Sequence, residues 1–454
     1  MDKDKLIDDF EEELPDGKEI IDSDNLIYII YPDYSFEVDI ETGDVTTPNI
    51  EVVEDDTPWE LAGSGTEEDP YLIESIEDLV AFSNSVNSGT SYSNKYVKLT
   101  TDLDFDLPFS YDNPKTKVSE KTNRIIEEDS SGTELKTFLT SGIGFNPIGN
   151  ETKSFNGNFN GNGKVIKNIY IDRADEDYVA LFGKNGGKIR KIGITGKIIG
   201  NGNYFASIVG SNVNNIELSF SEVELNIINN STSCYAGGIV GQNNSGTINN
   251  CYFNGKIFSN INSIKSLHKV IGGIVGTNES NSNTQNCYNL SDIISNDQGS
   301  SINYGGIAGI NYGVLNNNYN FGNINTIGKN SYSIGGISGL EMGNGVNNCY
   351  NKGIMDTETS WTGGISVYVQ GSDVIISNSY YQRDTAKNGI GYIYENSSNK
   401  ENLNVGVLEE SEMPSVMEVI STGNEQVEYN GEMVDIWKED VNNINNGYPI
   451  LFWQ

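Results

Sequence analysis

Between Tyr178 and Tyr381 the apolar and polar positions recur as one unit: an apolar pair closed by glycine, a polar turn, then a second short β-rich run. The clearest copies are YAGGIVGQNNSGTINNCYFNGKI from Tyr235, VIGGIVGTNESNSNTQNCYNLSDI from Val270, NYGGIAGINYGVLNNNYNFGNI from Asn303 and SIGGISGLEMGNGVNNCYNKGIM from Ser333. Aligned on the last glycine, the copies fall at Gly183, Gly210, Gly241, Gly276, Gly309 and Gly339, with Val367 in a decayed seventh. The intervals are 27, 31, 35, 33, 30 and 28 residues, one structural repeat per interval.

Residue type decides what one repeat builds. The runs are short, rich in Ile, Val, Tyr and Phe, and bounded by Asn, Gly and Ser, and no copy holds the stretch of periodic residues that a helix needs. Each copy therefore predicts two or three strands. Equivalent strands of successive coils pair in parallel, which gives an all-β fold, a parallel β-helix whose coils bury their inward residues on one another. Four antiparallel propeller strands would fit into such copies only with very tight turns.

The flanks divide the chain. Residues 1–62 form an acidic N-terminal segment in which LIYIIY from Leu26 and SFEVDI from Ser35 predict a small β appendage. Residues 63–402 form the β-helix. SIEDLVAFSNSVNSG opens it, with Ser75 as a helix cap and Ile76, Leu79, Val80 and Val86 at helical spacing, and predicts a capping helix over the open solenoid end. KYVKLTTDLDFDL from Lys95 should enter the first coil, and the polar stretch 108–141 interrupts the pattern as a projecting loop. Residues 403–454, with a short helix within Gly406–Ser421 and an apolar aromatic strand at the end, are expected to form the second cap.

The series GSGTEEDPYLIESIEDLVAFSNSVNSG, KYVKLTTDLDFD, FNPIGN, FNGNFNGNGKVIKNIYI, YVALFGKNGG and the GGIVG copies, closed by NNGYPILFWQ, resembles bacterial surface proteins carrying the GLUG motif, over roughly Gly63 to Gln454. The resemblance implies a right-handed parallel β-helix displayed outside the cell, in adhesin-like or pilus-associated proteins. Relatives of that family include immunoglobulin A1-cleaving zinc peptidases, in which the repeats lie outside the catalytic domain. Their HExxH signature is missing here. The chain's one histidine, His268, sits in SLHKV, in a variable turn between copies, so the proteolytic activity does not carry over.

Charge narrows the partners. The chain carries 64 acidic against 28 basic side chains, a net charge of −36, and residues 1–70 hold 24 of the acids with 3 lysines. Such a field disfavours nucleic acid and anionic lipid, so no nucleic acid and no direct membrane contact are expected. The start, MDKDKLIDDFEEELPDGKE, lacks the apolar run of a signal peptide, so either the chain is cytosolic or, as an extracellular reading requires, an export or anchor segment lies outside this sequence.

Candidate chemistry is thin. Asp102, Asp104 and Asp106 alternate along one predicted strand and would share a face that could hold calcium, or simply form a soluble strand end; whether a metal binds stays open. Glycan cleavage needs two positioned carboxylates, yet Glu279, Asp292, Asp297, Glu341, Asp356 and Glu358 fall mostly in turns at positions that do not recur. No catalytic residue and no cofactor are assigned. Cys251, Cys287 and Cys349 share a slot with Asn318 and Ser379, which reads as a column of buried thiols, with a Cys251–Cys287 disulfide left open.

Tyr252, Tyr288, Tyr319, Tyr350 and Tyr380 share another slot, either as core stacking or as an outward strip for sugar rings. The asparagines Asn250, Asn286, Asn317 and Asn348 beside them predict hydrogen-bonded ladders. The reading is a non-enzymatic, extracellular display module that binds a host or matrix protein or a glycan through loops 108–141, Phe258–Lys269 and Asp292–Ser301. A carbohydrate-binding module using exposed tyrosines is the second reading, and a polysaccharide lyase or glycoside hydrolase the third.

Overall fold

In the computed structural model the chain divides into two compact units, residues 1–60 with 106–142, and residues 61–105 with 143–454. The structure describes residues 60–105 and 144–454 apart from 202, 229–232, 262–267, 298–301, 327–331, 357–360, 372, 395–401, 410–415, 422–425 and 430, together with four strands before residue 60. Those strands, Glu19–Ser23, Leu26–Ile30, Ser35–Asp39 and Val45–Thr46, form an antiparallel sheet in chain order, which is the β appendage expected from LIYIIY and SFEVDI. The insertion 108–141 and Asp106 lie outside the described residues.

The second unit is the parallel β-solenoid. Three runs of strands stack along its axis. One face runs through Asn158–Arg173, Lys188–Gly200, Phe220–Ile227, Lys256–Ser259, Ile293–Ser295, Ile324–Thr326 and Met355–Asp356. A second, six-stranded face holds Phe205–Ala206, Ser233–Gly237, His268–Gly272, Ile302–Gly305, Tyr332–Gly335 and Trp361–Gly363. A third, eight-stranded face runs from Phe182–Asn185 through Val240–Asn243 and Ser366–Val369 to Ile390–Ile393. His268 is therefore the first residue of a strand, not a turn residue.

Register places like over like. Ile198, Leu225, Ile257, Ile293, Ile324 and Met355 form one interior column, each residue paired with the next. The corner from second to third face is always two residues long and ends in Ile208, Ile239, Ile274, Ile307, Ile337 or Ile365, all fully buried. The repeat glycine follows one strand position later. A Cβ on Gly241 would sit 2.6 Å from the Gly210 carbonyl oxygen and 2.7 Å from that of Tyr235, so close backbone approach selects glycine there. The corner from first to second face carries much of the length variation, from residues 201–204 to residues 260–267.

Both flanks fold onto this stack. Ser75 caps the helix Ile76–Asn87 by accepting from the Asp78 N–H, and Asp78 accepts in turn from the Glu74 N–H. The helix buries Leu79, Phe82 and Val86, and Phe82 packs edge-on against Phe155 and face-on against Phe159. Ser83 and Asn87 pin it by donating to the Asn146 and Pro147 carbonyls. At the other end Leu403–Leu408 adds a last strand beside Ile376–Gln382. The remainder of 403–454 differs from a second end cap: it lies along the flank of the solenoid. There a helix at Val416–Ile420 and the paired strands Trp437–Lys438 and Ile450–Leu451 bury Val419, Ile420, Trp437 and Leu451 against Tyr288, Tyr319 and Tyr350.

Candidate ligand-binding surfaces

The tyrosine slot is a stacked column, and the chain's own C-terminus covers it. Phe220, Tyr252, Tyr288 and Tyr319 stack at centroid spacings of 5.1, 5.0 and 4.8 Å with planes within 8° of parallel. Trp453 lies over Phe220 and Tyr252, the Tyr288 hydroxyl donates to Gln454 Oε1, and the Tyr319 hydroxyl donates to the Pro449 carbonyl at 2.6 Å. Tyr288, Tyr319 and Tyr350 have almost no exposed surface. The exposed sugar strip therefore does not exist at these tyrosines, because the apolar face of the last segment needs the same rings for its own burial.

The predicted asparagine ladder forms from Asn286 onward, but Asn250 is not its first rung, because Asn286 Nδ2 donates to Asn249 Oδ1 at 2.9 Å instead. Asn317 Nδ2 donates to Asn286 Oδ1 at 3.1 Å, Asn348 to Asn317 at 2.9 Å and Asn378 to Asn348 at 2.8 Å. Their backbones turn at φ of 55°, 52° and 45°, the left-handed region that asparagine tolerates best after glycine. A second ladder, which the sequence did not flag, runs inside the third face from Asn185 through Asn212, Asn243 and Asn278 to Asn311. It ends on Glu341, whose two oxygens accept from Asn311 Nδ2 at 2.9 and 3.1 Å.

Two acids expected in turns are thus interior. Glu341 is fully buried, and desolvation pushes its carboxyl up to about 8 against the stabilising bonds from Asn311 and the Gly343 N–H. Asp297 is fully buried as well. It accepts two bonds from Ser259 Oγ, at 2.8 and 2.9 Å, and one each from the Ile261 N–H and the Tyr304 hydroxyl. Buried Lys269 points inward in register with Cys234 and Ile302; desolvation lowers its pKa and the Asp297 charge opposes that shift. Asp356 is described only as strand backbone, and Glu358 lies outside the described residues.

The acidic strand near the start of the solenoid is already engaged. Asp102 pairs with Lys167 at 2.9 Å and accepts from the Val165 N–H, and these contacts, the Lys167 bond first, lower its pKa. Asp104 accepts from Asn168 Nδ2 at 2.8 Å. Among the described residues no three His, Cys, Asp or Glu side chains converge as a metal site. Cys234, Cys251, Cys287 and Cys349 are free, buried thiols, so the Cys251–Cys287 disulfide is absent.

Among the described residues two further surfaces stand out. A shallow groove of about 430 Å³ on the first coils mixes Glu67, Glu68 and Glu217 with Lys98, Lys188 and Arg190. At the other end, Trp361, Tyr368, Tyr392 and Tyr394 form an aromatic cluster that sequence reasoning missed, because it arises only in the last coils, where the repeat has faded. The loops Phe258–Lys269 and Asp292–Ser301 lie only partly within the described residues.

No family model matches the chain. Halomucin of Haloquadratum walsbyi is 30% identical over 154 residues, which is 33% of this chain and 1% of halomucin. A protein of Evansella cellulosilytica that bears the name Gly-rich membrane protein is 30% identical over 139 residues, 30% of this chain and 12% of that protein. The chain thus spans a small part of each curated relative. Among solved structures, a Bacteroides ovatus chain assigned by name to the immunoglobulin A1 proteases is similar with a TM-score of 0.46 and 17% identity, covering 86% of this chain and 95% of that one. A second, named IgA1 protease, gives 0.42 and 14%, with 81% and 27% covered. Among the described residues no helix is long and apolar enough to cross a membrane.

Proposed function

We propose that this chain is a non-enzymatic, extracellular display module of the GLUG-repeat kind, an adhesin-like or pilus-associated binding and spacer unit whose partner is a host or matrix protein or a glycan. The observation that supports it best is how the solenoid uses its residues. Interior columns and ladders keep like residues over like along the axis, while length varies at the surface corners, such as residues 201–204 against 260–267. Such a scaffold tolerates change in what it presents without disturbing what holds it up. Two fully buried carboxylates among the described residues, Asp297 and Glu341, are bonded to groups inside the stack, which supports the same reading. The likeness of about a third of the chain to halomucin fits the same reading.

The test is location and inertness together. Antibodies against the folded chain should label intact, unpermeabilised producing cells. Labelling only after permeabilisation would overturn display. Release of cleaved immunoglobulin A1 or of reducing sugar ends by the purified chain would overturn the non-enzymatic reading.

A further inference from the structure

The C-terminal aromatic cluster differs in kind from the column under the C-terminal segment. In the column the rings lie within 8° of parallel, so each face is consumed by the next ring. In the cluster three of the five ring contacts stand across one another, and the two others are tilted at 37° and 39°. Trp361 and Tyr392 meet at 77°, Tyr368 and Tyr392 at 70° and Tyr392 and Tyr394 at 89°, with centroids 5.2 to 6.1 Å apart. A perpendicular contact uses one ring's edge and leaves other ring faces turned outward.

Three of the four side chains are exposed to solvent. Trp361 is 50% exposed, Tyr392 39% and Tyr394 41%, while Tyr368 is half-buried with its hydroxyl bonded to Ser333. Register explains the position. Tyr368 and Tyr392 end the register column that runs from Lys184 through Ser211, Gln242, Thr277, Ile310 and Leu340, and Ile390–Ile393 is the end strand of its sheet, so no further named strand stacks on Tyr392. Trp361 closes the neighbouring face in the same way.

We propose that Trp361, Tyr392 and Tyr394, supported by Tyr368, form a binding platform for a neutral glycan. Sugar rings present axial C–H bonds on one side, slightly positive and apolar, which pack onto the negative face of an indole or phenol ring. The phenol hydroxyls of exposed Tyr392 and Tyr394 can bond the sugar's own hydroxyls. The net charge of −36 disfavours acidic polysaccharides, which selects the neutral class. Four side chains are few for a protein partner, which needs about 20–30 residues a side. The inference rests on the display reading above and gives it a ligand class and an address.

The experiment is a glycan array probed with the full chain, followed by titration of the best neutral oligosaccharide into wild type, Trp361→Ala, and the Trp361→Ala/Tyr392→Ala double variant. Binding should weaken at least tenfold in the single variant and vanish in the double one, with unchanged circular dichroism and melting. Trp361→Phe should recover part of the affinity. No neutral glycan bound by a folded wild-type chain, preference for acidic glycans, or equal binding by the double variant each overturns the platform. Failure is separable from failure of display: a chain that labels intact cells yet ignores neutral glycans loses its ligand, not its location.

Discussion

Removing the Asp297 carboxylate should be among the most damaging single changes in the solenoid. Asp297→Ala takes away the acceptor of Ser259 Oγ, of the Ile261 N–H and of the Tyr304 hydroxyl, and deprives the buried Lys269 ammonium of this counter-charge. Leaving buried donors without an acceptor costs about 1–3 kcal/mol for each group stranded. The converse change is milder. Lys269→Met leaves a carboxylate that still accepts from Ser259 and Tyr304, and fills the inward slot between Cys234 and Ile302 with an apolar chain of similar length. The order of stability is therefore wild type, then Lys269→Met, then Asp297→Ala, and the double variant should recover about 2 kcal/mol relative to the sum of the singles. Urea unfolding followed by far-ultraviolet circular dichroism reads these differences as shifts in midpoint at constant slope. If Asp297→Ala lies within about 1 kcal/mol of wild type, or if the two changes add, the electrostatic account of this cluster is wrong.

Three further outcomes follow from named contacts. Glu341 holds its proton in the folded chain up to about 8, whereas an unfolded carboxyl releases it near about 4.3, so the stability it lends is complete only below that lower value and declines as pH rises from there toward 8. Glu341→Gln should flatten that decline, whose limit is about 1.4 kcal/mol per pH unit, and a variant with the wild-type slope between pH 5 and 8 would remove Glu341 as its source. The four buried thiols should stay silent toward an aromatic disulfide reagent in the native chain and all react after denaturation, since burial pushes every resolved thiol pKa upward, that of Cys349 to about 12. Tyr319→Phe loses its bonds with the Pro449 carbonyl and Asn445 Nδ2 while keeping the stack, so limited proteolysis should cut within 436–454 before it touches the solenoid. Simultaneous cutting of both would count against the flank attachment.

The solenoid was legible because a stacked fold repeats its contacts at the repeat interval. Ile257, Ile293 and Ile324 share a column for the same reason that they share a slot in the sequence. The helix at Ile76–Asn87 was legible from its cap and apolar spacing, and the asparagine turns from the residue type that left-handed backbone demands. What escaped was set by contacts outside the repeat. Asp297 belongs to one coil only, and its burial depends on Ser259 and Tyr304 from its neighbours. Glu341 replaces an asparagine at the end of a ladder, and a single substituted rung carries no periodic signal.

The aromatic residues show why a slot alone does not assign a role. A tyrosine recurring in every coil is constrained first by its neighbours above and below, and a stack nearly 5 Å apart has no free face to offer a ligand. Its exposed edge remains, and in this chain that edge meets the apolar side of the C-terminal segment, where Trp437 and Leu451 gain burial by covering it. Aromatic residues that do not recur escape both constraints. Trp361, Tyr392 and Tyr394 arise where the stack ends, have no equivalent ring beyond them, and turn their planes across one another. Regular spacing thus marks the rings that hold the solenoid together, and the break in spacing marks those left free to bind.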